Sequence, residues 1–214
     1  MKHPTMLAAA AGILVLAASL WGGPVPLPSA PAQEGDDAPK PEFIGADGCK
    51  KCHFKQWMSW KKTSMAKSFE TLKPGVVADA KTKHGLDPAK DYTKDASCLP
   101  CHTTGYGKPG GYPALADGKG WTEEETKRAE SRQGVQCESC HGPGSLSAEH
   151  KKDHPEYKRE DLMKMGLILA DKDACAQCHR PESPTVADDF VLDFEALCSD
   201  ATKIHDHVPL KHKH

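Results

Sequence analysis

The pentapeptide Cys-x-x-Cys-His occurs four times, at Cys49–His53, Cys98–His102, Cys137–His141 and Cys175–His179. No other feature constrains the chain as strongly. In a c-type haem attachment site two thiols add across the haem vinyl groups, and the adjacent histidine reaches the iron from the proximal side. A single copy could be accidental or half of a zinc site. Four copies, using eight of the nine cysteines, leave little room for either. The attachment residues are therefore Cys49, Cys52, Cys98, Cys101, Cys137, Cys140, Cys175 and Cys178, with His53, His102, His141 and His179 as proximal ligands. The cofactor expected is four c-type haems.

Composition agrees. The apolar fraction is 38% and the aromatic fraction 6%, thin for a 214-residue chain that must build its core from side chains alone. Four porphyrins would supply the missing apolar surface. With 18 glycines and 17 prolines, the expected fold is mainly α, with short helices and long loops packed around the haems as in a multihaem cytochrome. The formal net charge of −2 omits the haem propionates. Basic residues are spread out and not interleaved with aromatics, so nucleic-acid binding is not expected.

Residues 1–32 read as a signal peptide. Lys2 precedes a 14-residue apolar run from Leu7 to Leu20, too short to span a bilayer comfortably, and Ala30-Pro31-Ala32 offers a cleavage site. An uncleaved anchor is the competing reading. Export suits haem attachment outside the bacterial inner membrane, so the expected location is the periplasm, with no stable membrane insertion after cleavage. Residues 33–41 read as a charged, Pro-rich linker and 42–214 as one tetrahaem domain.

Helical patterns cover Gly48–Leu72, Val76–Lys83, Trp121–Ser131, Glu160–Leu169 and Phe194–His207, with a Gly-rich loop over Gly105–Gly120 and no convincing strand. The motifs are spaced by 49, 39 and 38 residues, and the intervening sequences do not match, which argues against a solenoid.

Six-coordinate irons also need distal ligands, normally His or Met. Besides the motif histidines, the mature chain has His84, His150, His154, His205, His207, His212 and His214, and Met58, Met65, Met163 and Met165. Spacing alone does not choose among them. A surface His is usually solvated and a helical Met usually packs. Cys198, the ninth cysteine, reads as an inert thiol more readily than a reactive one.

The stretch Leu86-Asp87-Pro88-Ala89-Lys90-Asp91-Tyr92-Thr93, with Gly105-Tyr106-Gly107 and Gly110-Gly111-Tyr112, closely resembles the tetrahaem cytochrome c-554 family, electron carriers of ammonia-oxidising bacteria. Similar segments are Ser59 to Glu70, Cys137 to Gly144, Arg159-Glu160-Asp161-Leu162 and Ile204-His205-Asp206-His207. The resemblance implies that His150, in the loop after the third motif, is distal to the first haem. It implies that His205, on the C-terminal helix, is distal to the third. The helix after the first motif supplies the fourth haem's distal ligand, and there this chain has Met65 where the family has His. If Met65 binds, that haem is His/Met with a raised potential; otherwise Met65 packs nearby. The second haem has no distal ligand in the family. The segment between His179 and Phe194 is shorter than in the family, which leaves the character of the pocket over the second haem open.

The resemblance implies electron transfer between redox protein partners: a hydroxylamine oxidoreductase-like donor and a membrane-anchored cytochrome acceptor. No catalytic residue is assigned. The alternative is a haem enzyme reducing nitric oxide or another small nitrogen oxide at the open second haem; a sensor or scaffold ranks below both. The Lys-rich surface from Lys50 to Lys67 fits an acidic partner, and equally a solvated helix face.

Overall fold

The computed structural model describes residues 39–115, 120–186 and 191–207. The expected signal peptide, residues 33–38 of the linker, and His212 and His214 lie outside the described residues. From Pro39 onward the chain forms one unit. Its helices are α1 (Ala46–Cys49), α2 (Phe54–Trp60), a 3-10 helix (Ser68–Leu72), α3 (Ala78–Lys83), α4 (Leu99–His102), α5 (Glu123–Ser131), α6 (Cys137–His141), α7 (Ser145–Asp153), α8 (Arg159–Lys164), α9 (Lys172–Ala176) and α10 (Phe194–Ser199). Among the described residues, the extended structure is a single antiparallel bridge between Thr103 and Gln133, and no helix is long and apolar enough to cross a membrane.

Helices of nine residues or fewer do not persist alone in water. Their boundaries follow local chemistry. The expected helix over Gly48–Leu72 is broken twice. His53 leaves helical geometry at φ −113°, ψ 45°. Beyond Trp60, the buried Thr63 hydroxyl donates to the Trp60 carbonyl at 2.7 Å, and its oxygen accepts from Ala66 N at 3.3 Å. A side chain that bonds its own backbone in this way competes with the helical ladder. α5 starts on a reciprocal capping box between Thr122 and Glu125. α8 stops where Gly166 adopts φ +99°, short of the expected Leu169. α10 also stops short: Asp200 is extended, and its carboxylate accepts from the Thr202 backbone at 2.9 Å. His205 therefore lies beyond the last helix, not on it. α7 is a helix where a loop was expected, so His150 is helical.

Nine apolar side chains are buried among the described residues, and six of them (Phe69, Leu72, Tyr92, Leu99, Tyr112 and Ala129) form one cluster. Leu99, fully buried, belongs to the second motif. The side-chain cluster thus sits beside one motif, and neither the three helices carrying cysteines of the other motifs (α1, α6 and α9) nor α10 contributes a residue to it.

Polar ties carry much of the remaining order. The buried Glu138 carboxylate accepts from Ile44 N at 2.9 and 3.1 Å, Gly45 N at 2.6 Å and Gly144 N at 2.7 Å. Gln136 Oε1 accepts from Ala46 N at 2.7 Å. Arg132 donates to the carbonyls of Gly110 at 2.9 Å and Phe43 at 3.0 Å. The residues flanking and inside the third motif thereby position the start of α1, which leads into the first.

Candidate haem sites

Each motif closes as a helical turn. The Cys49 carbonyl accepts from Cys52 N at 3.2 Å and His53 N at 2.9 Å; Cys175 does the same for Cys178 at 3.2 Å and His179 at 3.0 Å. Cys101 N donates to the Cys98 carbonyl at 3.2 Å, and the third motif is α6 itself. Residues three and four apart in such a turn share a face, so both thiols and the imidazole point to one side, as covalent attachment with proximal ligation requires. None of the nine cysteines is paired in a disulfide. Among the described residues, no three His, Cys, Asp or Glu side chains converge to hold a metal ion, so the motif thiols do not assemble a tetrahedral zinc site. The donor set fits haem, whose macrocycle brings its own four nitrogens.

The histidines are prepared as ligands. His102 Nδ1 donates to the Ser68 carbonyl at 2.7 Å, with Thr71 Oγ1 3.3 Å away. A carbonyl only accepts, so the proton is fixed on Nδ1 and Nε2 keeps its lone pair. The His141 backbone carbonyl accepts from Ile168 N at 2.9 Å. Burial pushes the pKa of His53, His102 and His141 below the ordinary histidine range; Lys151 lowers His53 further. His141 is open to solvent on one side, yet hemmed in closely enough that burial still dominates. Neutral imidazole is the form that binds metal.

The C-terminal pair is distinguished by its hydrogen bonds. His205 Nδ1 donates to the Asp206 carbonyl at 3.0 Å, leaving Nε2 available, whereas His207 commits Nε2 to the Cys198 carbonyl at 2.8 Å. The His141 and His205 ring centroids are 6.4 Å apart. A metal–imidazole bond is about 2 Å and a ring centroid lies about 1 Å behind its nitrogen, so rings flanking one ion are separated by about 6 Å. Rings at that separation could hold one iron between them.

His150 lies on α7, its ring stacked on His154 with centroids 4.1 Å apart. The next residue, Lys151, is near enough to the first motif to feel Cys49 and Cys52. α7 is thus placed beside the first motif. Met65 is in the turns between α2 and the 3-10 helix, half-buried, its carbonyl accepting from Val135 N at 3.0 Å. Sequence reasoning missed Ser68, Lys151 and Glu138. The first acts through its carbonyl and the other two by proximity across the fold, and none has a motif signature.

The motifs adjoin in a particular order. Cys49 lies beside Cys137, and Cys178 beside Cys101, each pair near enough to interact electrostatically. Cys140 lies near Cys175, and α6 packs on both α1 and α9. The first motif therefore neighbours the third, the third the fourth, and the fourth the second.

A helical unit with four such turns in mutual contact defines a multihaem c-type cytochrome. The family model described as "Cytochrome c554 and c-prime" matches residues 48–142. Cytochrome c-554 of Nitrosomonas europaea is 35% identical over 198 residues, covering 82% of this chain and 78% of that protein. The solved structure of reduced cytochrome c554 from the same organism matches with a TM-score of 0.64 at 32% identity, covering 81% of this chain and 89% of that one. The chain belongs to the cytochrome c-554 family, and is a c-type cytochrome electron carrier.

Proposed function

We propose that the chain works in the periplasm as a tetrahaem relay between a redox donor protein and a redox acceptor protein, with one iron lacking a distal protein ligand. The contact order of the motifs, first–third–fourth–second, carries this reading, because it lines up four attachment sites in one continuous series. When bound, the haems supply one-electron redox chemistry. The chain fixes their spacing through eight thiols and supplies neutral proximal imidazoles. It closes the distal positions with His150 for the first site, His205 for the third and Met65 for the fourth. The 6.4 Å separation of His141 and His205 supports the third assignment. The first and fourth rest on the family pattern, with α7 beside the first motif in keeping with it. The second site, at His102, receives no distal residue. A hydroxylamine oxidoreductase-like donor and a membrane-anchored cytochrome acceptor follow from the same family pattern.

A second reading is reduction of nitric oxide at the His102 site. Its support is the apolar cluster beside the second motif, since apolar surroundings favour a small neutral ligand over a charged one.

Optical and EPR spectra of the haem-loaded protein, with and without nitric oxide, test both. One high-spin ferric haem in four, lost when nitric oxide binds the reduced protein, is expected. A wholly low-spin protein inert to nitric oxide would exclude the open site. Turnover of nitric oxide under a steady electron supply would favour the second reading.

A further inference from the structure

We infer that the α1–α2 face is the docking surface for an acidic redox protein, which exchanges electrons at the first motif. This rests on the relay reading and names where one partner binds.

Between Cys49 and Phe69 the chain places six lysines (Lys50, Lys51, Lys55, Lys61, Lys62 and Lys67) and no acid, while its remaining 22 Lys and Arg are set against all 30 Asp and Glu. The charge is therefore strongly asymmetric although the net is only −2. All six side chains are exposed. Of these six, only Lys50 is ion-paired among the described residues, to Asp47 at 3.1 Å. Lys50 and Lys61 each set their ammonium 5.0 Å from the Trp57 ring centroid, and Trp57 stacks on Phe54 at 6.1 Å. Phe54 is 58% exposed and Met58 41%, and both line one pocket with Lys55 and Lys62, where Asp206 is the one acid among the lining residues. That combination suits a small, short-lived interface steered by charge, with apolar contact beside the cations.

The position selects the partner. α2 begins directly after His53, the proximal residue of the first motif, and the first motif is one end of the contact series. A surface there brings its occupant to a terminal redox site, which is of use to a redox protein and of none to a lipid bilayer.

The test uses the haem-loaded protein, the double variant K55E/K62E and a control, K83E/K127E, with both reversals at exposed lysines elsewhere. The probe is a reduced, acidic plant-type [2Fe–2S] ferredoxin. Stopped-flow reduction at low ionic strength should slow by about tenfold in K55E/K62E and by less than about twofold in the control, and high salt should remove the difference. Carbodiimide cross-links to the ferredoxin should fall on the lysines of the α1–α2 face. Equal slowing in both variants would overturn the inference. So would cross-links spread over Lys83 and Lys127, or α2 lysines left unreactive because haem propionates hold them. Binding to phosphatidylglycerol vesicles through these lysines, without ferredoxin cross-links, would overturn it in favour of a membrane. A photoreduced deazaflavin, which needs no docking surface, separates the two ideas. If it fails to reduce the wild-type haems the relay reading falls, while the cross-link map still judges the surface.

Discussion

Glu138 occupies a variable position of the third motif, yet it organises the first. Its carboxylate accepts from three backbone N–H groups in two distant segments, Ile44 and Gly45 before α1 and Gly144 after α6, at 2.6 to 3.1 Å. It is 3% exposed. Glu138→Ala would leave those three donors without an acceptor and remove the charge that faces Arg132. Each buried orphan costs about 1–3 kcal/mol. The three share one network and do not add fully, so the loss should be about 3–5 kcal/mol, equivalent to a melting temperature lower by about 10–15 °C at this chain length. Glu138→Gln keeps the shape and one acceptor oxygen and should lose about 1–2 kcal/mol. The exposed Glu149→Ala should change stability by less than about 0.5 kcal/mol. Urea unfolding of the haem-loaded proteins by far-UV circular dichroism gives all three values. Because α1 delivers Cys49, the pyridine haemochrome content of Glu138→Ala should also fall, with the missing haem at the first motif by peptide mapping. If Glu138→Ala loses less than about 1 kcal/mol and keeps its full haem content, the claim that this carboxylate joins the two motifs is wrong.

Two further predictions follow from single residues. If Met65 ligates the fourth site, Met65→His should lower one of the four reduction potentials by on the order of 0.1 V, a small part of the range axial ligands command; a potentiometric titration unchanged from wild type would show that Met65 only packs. In the α5 capping box, backbone and side-chain hydrogen bonds with Thr122 hold the Glu125 carboxyl below its usual 4.5. A folded pKa below the unfolded one means that this contribution is present above the unfolded value and is lost as pH falls through the folded one. The Thr122 and Glu125 amides should therefore exchange faster below about pH 4.5. Thr122→Ala should cost about 1 kcal/mol and return the Glu125 carboxyl resonance toward its ordinary titration.

Much of the architecture was legible in advance, because haem attachment needs two thiols and an imidazole on one face of a turn, and only Cys-x-x-Cys-His supplies that locally. The mainly α character and the presence of α5 followed from period and from the glycine and proline content. The helix ends failed where a side chain bonded its own backbone, as Thr63 does beyond Trp60 and Asp200 beyond α10, because periodicity does not register that competition. α7 was missed since its charged, weakly patterned sequence gives no apolar stripe, and it is held by its neighbours.

The candidate ligands divide in the same way. The motif cysteines and histidines lie within four residues of one another in the chain, so sequence alone proposes them as attachment and proximal residues. The pairing of the first motif with the third and of the second with the fourth, and the His141–His205 separation, depend on segments tens of residues apart. Local chemistry determines which atoms can bind. Only the closing of long loops, through contacts such as Glu138 with Ile44 and Gly45, decides which of those atoms face each other.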